Sequence, residues 1–187
     1  TVGPGLGTYY ETKELVRRFI SEYNGRIVLD AAGINAFEGD MESLRSAPCE
    51  IVITPHAGEL AKLTGISIGD IIADPFKASQ KASEATGKIV LLKGSPTVIS
   101  DPSGTTWINS TGNEGMATAG MGDVLTGTIS GLAAQKLDLY NAAILGAYVH
   151  GLAGEIVSEK KGIHGVMAGD VLESLPDALL EILNENN

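Results

Sequence analysis

Three short apolar runs constrain this chain's fold more than anything else in it. Arg26-Ile27-Val28-Leu29-Asp30, Glu50-Ile51-Val52-Ile53-Thr54 and Lys88-Ile89-Val90-Leu91-Leu92 carry continuous aliphatic residues, so each reads as a buried strand. Segments of helical period lie between them. Leu15, Val16, Phe19 and Ile20 recur at helical spacing, in a helix capped by Thr8 or Thr12 and ending about Tyr23. Ala57 to Leu63 reads as a helix closed by Gly65. Asp74-Pro75 opens another, with Asp74 as cap, that ends near Gly87. Such alternation is the signature of an α/β layer fold. Thr97 to Ser100 and Thr105 to Asn109 then read as a hairpin around Asp101-Pro102-Ser103-Gly104, a good turn sequence. Three more helices are expected over 123–135, 141–160 and 170–183, with Asn184 to Asn187 frayed.

The 187 residues fit one ordinary domain, with a core that is mostly aliphatic because aromatic residues make up only 5%. A formal net charge of −10 argues against a general nucleic-acid binder. It leaves a nucleotide ligand open, since a local nest of N–H groups acts against the global field. Cys49 is the only cysteine, which excludes an intrachain disulfide and points to a reducing, cytoplasmic setting. No apolar run reaches the length of a membrane span, so no membrane partner is expected. Thr1-Val2-Gly3-Pro4-Gly5-Leu6-Gly7 reads as the end of a buried strand and the loop after it, so the rest of that strand is expected upstream.

Ligands of open α/β sheets bind beyond the C-terminal ends of the strands. Asp30 and Asn35, Thr54 to Glu59, Lys93 to Thr97, and Asn113 to Asp123 are therefore expected to face one crevice. The richest of these stretches is Asn113-Glu114-Gly115-Met116-Ala117-Thr118-Ala119-Gly120-Met121-Gly122-Asp123, which runs into an apolar helix. Its small residues Ala117, Gly120 and Gly122 leave amides uncovered where a helix begins, which favours an anion. Asp123 stands at the same spot. Amides beside one carboxylate suit phosphoryl transfer to a hydroxyl, the amides taking phosphoryl charge and the carboxylate the hydroxyl proton. The plainer alternative is a Gly-rich helix start with Asp123 as an ordinary first-turn acid. Lys93-Gly94-Ser95-Pro96-Thr97 reads either as a phosphate-neutralising loop or as a surface lysine in a tight turn. His56 stands where a ligand phosphate or ring could meet it, and Glu59, three residues on, has the spacing of a helix-start cap. His150 reads as a satisfied interior or interface histidine and His164 as solvated. The three histidines lack metal-ligand spacing, so no zinc site is expected. The small residues from Ala142 to Gly154 permit close helix packing, within a subunit or between subunits. No dinucleotide fingerprint, P-loop or serine-hydrolase elbow occurs.

Taken in order, Gly3-Pro4-Gly5-Leu6-Gly7, Leu29-Asp30-Ala31-Ala32-Gly33-Ile34-Asn35, Thr54-Pro55-His56-Ala57-Gly58-Glu59, Lys93-Gly94 and Asn113 to Leu125 resemble the ADP/ATP-dependent NAD(P)H-hydrate dehydratases, a carbohydrate-kinase-like family of the ribokinase-like superfamily. The resemblance spans nearly the whole chain. It implies a three-layer α/β/α fold with a mostly parallel central sheet whose N-terminal strands are missing here. That portion carries opening strands, a helix and a substrate-contacting small residue in the family, so an exposed sheet edge is expected. The implied reaction is repair of hydrated nicotinamide cofactor: NADHX or NADPHX is phosphorylated on its hydroxyl by ADP or ATP, with Mg²⁺, and then loses phosphate. The resemblance assigns Asp123 as the base. It assigns Lys93, Gly94, Ser95, Pro96, Thr97, Gly120 and Gly122 to the nucleotide, and Gly5, Gly7, Asn35, His56 and Asp123 to the hydrate. It also implies a homo-oligomer, with an upstream segment or epimerase domain in the full-length protein. Ala32 departs from the family's pattern, standing where a second acid is usual. A small-alcohol or vitamin-precursor kinase of the same superfamily, and a non-catalytic nucleotide-binding fragment, are the competing readings.

Overall fold

The computed structural model describes residues 1–185. Its sheet has five strands in the order of the chain: β1 (Arg26–Leu29), β2 (Glu50–Ile53), β3 (Ile89–Leu92), β4 (Thr97–Ser100) and β5 (Thr106–Asn109). The three apolar runs pair in parallel, Leu29 beside Ile53 and Ile53 beside Val90. The expected hairpin turns the sheet antiparallel from β3 to β5, so the sheet as a whole is mixed. Val2 bridges in parallel to Leu29 on the free side of β1, its amide donating to the Val28 carbonyl at 2.9 Å, as the strand-end reading of residues 1–7 expects.

Alternation along β1 to β3 divides the core into two layers, because successive side chains of a strand point to opposite faces. Ile27, Leu29, Ile51, Ile53, Val90 and Leu92 pack with α1 (Tyr10–Glu22), α2 (Ala32–Asn35), α3 (Met41–Arg45), α4 (Ala57–Thr64), α5 (Ile68–Ala73) and α6 (Pro75–Thr86). Val28, Val52 and Leu91 face α7 (Met121–Ala134) and α8 (Leu139–Lys161). A third cluster joins α7 and α8 to α9 (Ala168–Glu185). The result is the three-layer α/β/α arrangement.

The turn chemistry is largely as expected. Gly65 and Gly87 end α4 and α6 in the left-handed conformation that glycine adopts without a Cβ penalty. Asp74 caps α6 by accepting from the Lys77 amide at 2.9 Å. Neither Thr8 nor Thr12 caps α1, whose N-cap is Tyr9 with no side-chain bond; the Thr12 hydroxyl instead donates to the Leu6 carbonyl. The fraying expected at the C-terminus does not begin at Asn184, since α9 continues through Glu185; Asn186 and Asn187 lie outside the described residues. Cys49 is buried, which pushes its thiol pKa up, and Lys88 beside it is buried too, its ammonium donating to the Ala47 and Cys49 carbonyls at 2.8 and 3.0 Å.

Packing within the subunit accounts for the small residues of α8. A Cβ at Gly146 would lie 2.6 Å from Ile129 Cγ1, and one at Gly154 would lie 2.7 Å from Met116 Cγ. One at Gly151 would lie 2.7 Å from the carbonyl carbon of Thr111, which is backbone and cannot swing aside. His150 is buried in this packing and hydrogen-bonds the Met121 backbone, but its Nε2 has no partner, so it is only half satisfied. Burial lowers its pKa to about 4.

Three outcomes follow for stability. Gly151→Ala is expected to cost about 2 kcal/mol by overpacking. Gly131→Ala in α7, where nothing lies within 4 Å, should gain up to about 1 kcal/mol. Urea unfolding reads both. Because the folded pKa of His150 lies below its unfolded value, its contribution is intact above about pH 6.5 and is lost as pH falls toward about 4. The wild-type chain should lose about 3 kcal/mol more than His150→Gln between pH 7 and pH 4.

Candidate functional site

The polar ends of β1, β2 and β3 and the first turn of α7 meet at one place. Asp30, the residue after β1, is 2% exposed. Its Oδ1 accepts from Lys93 Nζ at 2.8 Å and its Oδ2 from the Thr126 hydroxyl at 3.1 Å. Lys93 follows β3 and reaches across β2, where its amide donates to the Pro55 carbonyl at 2.8 Å. Glu59 Oε2 lies 3.8 Å from Lys93 Nζ and accepts from the His56 amide at 2.9 Å. The spacing of Glu59 is thus the capping box that the sequence allowed, and it also carries a second carboxylate toward the lysine. Removing such buried charges from water is costly, so the two carboxylates and the ammonium stand or fall together.

His56 is itself the other half of the cap. Its Nδ1 accepts from the Gly58 and Glu59 amides at 3.0 and 3.2 Å, which puts the neutral ring's proton on Nε2. The side chain is 60% exposed. Its Nε2 lies 3.6 Å from Glu59 Oε2, so the exposed ring stands at the rim of the same cluster, where an anion or a carbonyl oxygen could meet it.

Gly120, at φ +86°, turns the chain into α7. The amides of Met121, Gly122 and Asp123 open that helix and have no intrahelical acceptor. Ala117 does not join them, because its amide donates to the Glu114 carbonyl at 3.1 Å in a short 3-10 turn. A Cβ on Gly122 would sit 3.5 Å from both Asp30 Oδ2 and Lys93 Nζ, so the bare glycine lies directly over the ion pair. Asp123 is exposed, and among the described residues nothing bonds its carboxylate. Four contacts bolt the preceding loop to α8. Asn109 donates to the Ala147 carbonyl, Thr111 to the Tyr148 carbonyl, the Gly112 amide to Glu155, and Asn113 to Ser158.

The other expected site residues are less tightly gathered. Gly94 and Thr97 bond each other across the turn, with Ser95 and Pro96 exposed between them. A cavity of about 100 Å³ beside them is lined by Ala57, Ile71, Ile72, Pro75 and Lys93 to Pro96. Asn35 lies in α2, with its buried Oδ1 unpartnered. Gly5 and Gly7 are exposed at positive φ and touch none of the cluster, although Gly3 in the same loop packs on the Asp30 backbone. A larger concavity of about 500 Å³, lined by Glu14, Arg17, Phe37 and Asp40 among others, includes none of these residues. Sequence reasoning gave no role to Thr126; it placed Asp30 and Glu59 at the crevice, but with no task there beyond a strand-end acid and a helix cap. The signal for Asp30 was its place after a buried strand; Thr126 had none, since a threonine inside a helix is unremarkable.

Known proteins resemble the chain as follows. The carbohydrate-kinase family described as NAD(P)H-hydrate dehydratase matches residues 1–177. The bifunctional NAD(P)H-hydrate repair enzyme Nnr of Moorella thermoacetica is 42% identical over 184 residues, which are 98% of this chain and 35% of that protein. The ADP-dependent (S)-NAD(P)H-hydrate dehydratase of Neisseria meningitidis is 37% identical, over 91% of this chain and 59% of its own length. The ADP/ATP-dependent NAD(P)H-hydrate dehydratase of Bacillus subtilis, crystallised with ATP and Mg²⁺, superposes with a TM-score of 0.85 at 26% identity, over 96% of this chain and 64% of that one. The chain thus spans about a third of the bifunctional relative and less than two thirds of the others.

Lys93→Met removes the counter-ion of a buried carboxylate. It is expected to lower stability at pH 7 by about 3 kcal/mol, whereas Lys62→Met, on the exposed side of α4, should change it by less than about 0.5 kcal/mol. Urea unfolding of the two variants tests this.

Proposed function

The chain belongs to the NAD(P)H-hydrate dehydratase family, and from that premise we propose that it repairs hydrated nicotinamide cofactor. The proposed reaction is the ADP- or ATP-dependent dehydration of NADHX or NADPHX to NADH or NADPH. The observation that carries this reading is the first turn of α7, which offers three amides with no intrahelical acceptor and an unengaged carboxylate beside the half-buried Lys93. The named relatives support the substrate class, and the Bacillus protein supports a nucleotide with Mg²⁺.

In this reading the terminal phosphoryl group lies against the Gly120 to Asp123 amides, which take the charge on its equatorial oxygens. Asp123 accepts the proton of the hydrate hydroxyl as the oxygen bonds to phosphorus and the bond to the leaving AMP or ADP breaks. The phosphorylated oxygen then leaves as inorganic phosphate, expelled by the lone pair of the ring nitrogen. Loss of a proton from the neighbouring carbon restores the double bond. Lys93 to Thr97 contact the nucleotide, while Gly5, Gly7, Asn35 and His56 contact the hydrate, with His56 offering its Nε2 proton. The described residues hold no cluster of three metal-ligating side chains, so we assign Mg²⁺ to the nucleotide's own phosphates, where it neutralises charge.

A cytoplasmic enzyme fits the lone buried Cys49. Among the described residues no helix is long and apolar enough to cross a membrane. A homo-oligomer is part of the reading, supported by Leu172, Leu179 and Leu180 exposed along α9. An epimerase domain in the same protein is part of it too, supported by the bifunctional relative.

Asp123→Asn should cut turnover by about 10²- to 10⁴-fold while the thermal shift produced by ADP survives. Recovery of NADH absorbance from NADHX measures the turnover. Phosphorus NMR separates free phosphate, expected here, from the stable phosphomonoester of a kinase. An Asp123→Asn variant with near-normal turnover overturns the assignment of the base.

A further inference from the structure

We propose that Asp30 is a positioning residue that holds the first turn of α7, and with it Asp123, in register with the Lys93 loop. The proposal rests on the dehydratase reading for its catalytic consequence but not for its structural one. Asp30 is far more buried than a solubilising carboxylate would be, and each of its oxygens has a separate partner on a different element. Oδ1 holds Lys93 at the end of β3, and Oδ2 takes the hydroxyl of Thr126 on α7. Thr126 is 1% exposed, and its oxygen lies 2.7 Å from the Gly122 carbonyl one turn earlier. Both neighbours are acceptors, so a single hydroxyl proton is shared between the helix backbone and Asp30. That one group therefore ties the turn carrying Gly122 and Asp123 to the strand end.

The backbone around Asp30 is bent to make this possible. Ala31 is held at φ +48° and ψ −120°, a region a residue with a Cβ rarely occupies, and the surroundings must over-determine it. The Asp30 amide donates to the Val2 carbonyl at 3.1 Å, and its carbonyl accepts from Gly33 at 2.9 Å. Gly3 packs so closely on that carbonyl that no side chain fits there. The carboxylate is thus aimed from a rigid frame at a helix N-terminus, where negative charge is favoured. The same geometry limits Lys93. With Asp30 at 2.8 Å and Glu59 at 3.8 Å, its charge is already matched by two carboxylates, so the lysine acts first as a strut.

The test compares Asp30→Asn, Thr126→Val and Thr126→Ser with the wild-type chain. Turnover of NADHX with ADP gives kcat and KM, and hydrogen exchange by mass spectrometry reports on residues 120–128. Asp30→Asn should lower kcat at least about tenfold while KM for ADP changes less than about threefold, because the group lost touches no ligand. Exchange over 120–128 should rise about tenfold while that of α8 stays unchanged. Thr126→Val should move both readouts the same way, and Thr126→Ser, which keeps the hydroxyl, should restore them. A lower melting temperature with unchanged kcat and exchange would reduce Asp30 to a structural role and overturn the proposal. So would a raised KM at constant kcat, or a serine variant that behaves like valine. If Asp30→Asn fails to fold, the Thr126 pair carries the test. If the wild-type chain turns over no NADHX, it is the dehydratase reading that fails, and the exchange comparison decides the positioning role alone.

Discussion

Burial of β1, β2 and β3 on both faces is the constraint from which the rest of the molecule follows. Each of these strands alternates between two helical layers, Ile27 and Leu29 facing one, Val28 the other. A slip of one residue in any strand would exchange the two sets of side chains, so the register is tightly specified. Register in turn decides where each strand stops. Because the three strands run in parallel, their C-terminal ends fall on one edge, and Asp30, Thr54 and Lys93 arrive there together. The crevice is a consequence of packing before it is a feature of chemistry.

Charge is handled unusually at that edge. In a chain with a net charge of −10, the turn proposed to take the phosphoryl group stands beside three carboxylates: Asp30, Glu59 and Asp123. Two of them are buried against Lys93, which leaves the amides of the α7 turn as the main uncovered positive feature. Backbone amides suit that role because they carry no counter-ion and cannot be neutralised by a neighbour. The third carboxylate, Asp123, stays unpaired in the same turn.

Sequence reading found the long elements and the site motifs, and it missed short or cooperative features. The Glu50, Lys88 and Thr97 strands and the helix from Pro75 to Gly87 were legible because turn residues bracket strong local patterns. Helices α2, α3 and α5 were not, since four to six residues show no helical period. At the site, the Gly120 to Asp123 turn and Lys93 stood out through composition and order. Glu59 was visible as a cap at the crevice, but its approach to Lys93 depends on a helix start and a strand end that lie 34 residues apart (93 minus 59). Thr126 was invisible because its partner is 96 residues away. The small residues of α8 allowed packing within or between subunits, and atomic contacts with Ile129, Thr111 and Met116 show them filled from within.

The sequence by itself determined the strands, the ends of α4 and α6, the Gly-rich turn into α7 and the family, because each is written in contiguous residues with a local physical preference. Only the tertiary structure decided that Asp30, Glu59, Lys93 and Thr126 form one network, and that Ala117 spends its amide within its own turn. The network depends on distances between residues far apart in the chain, which packing sets and local preference does not encode; the Ala117 bond spans only three residues, but a 3-10 turn that short leaves no period to read.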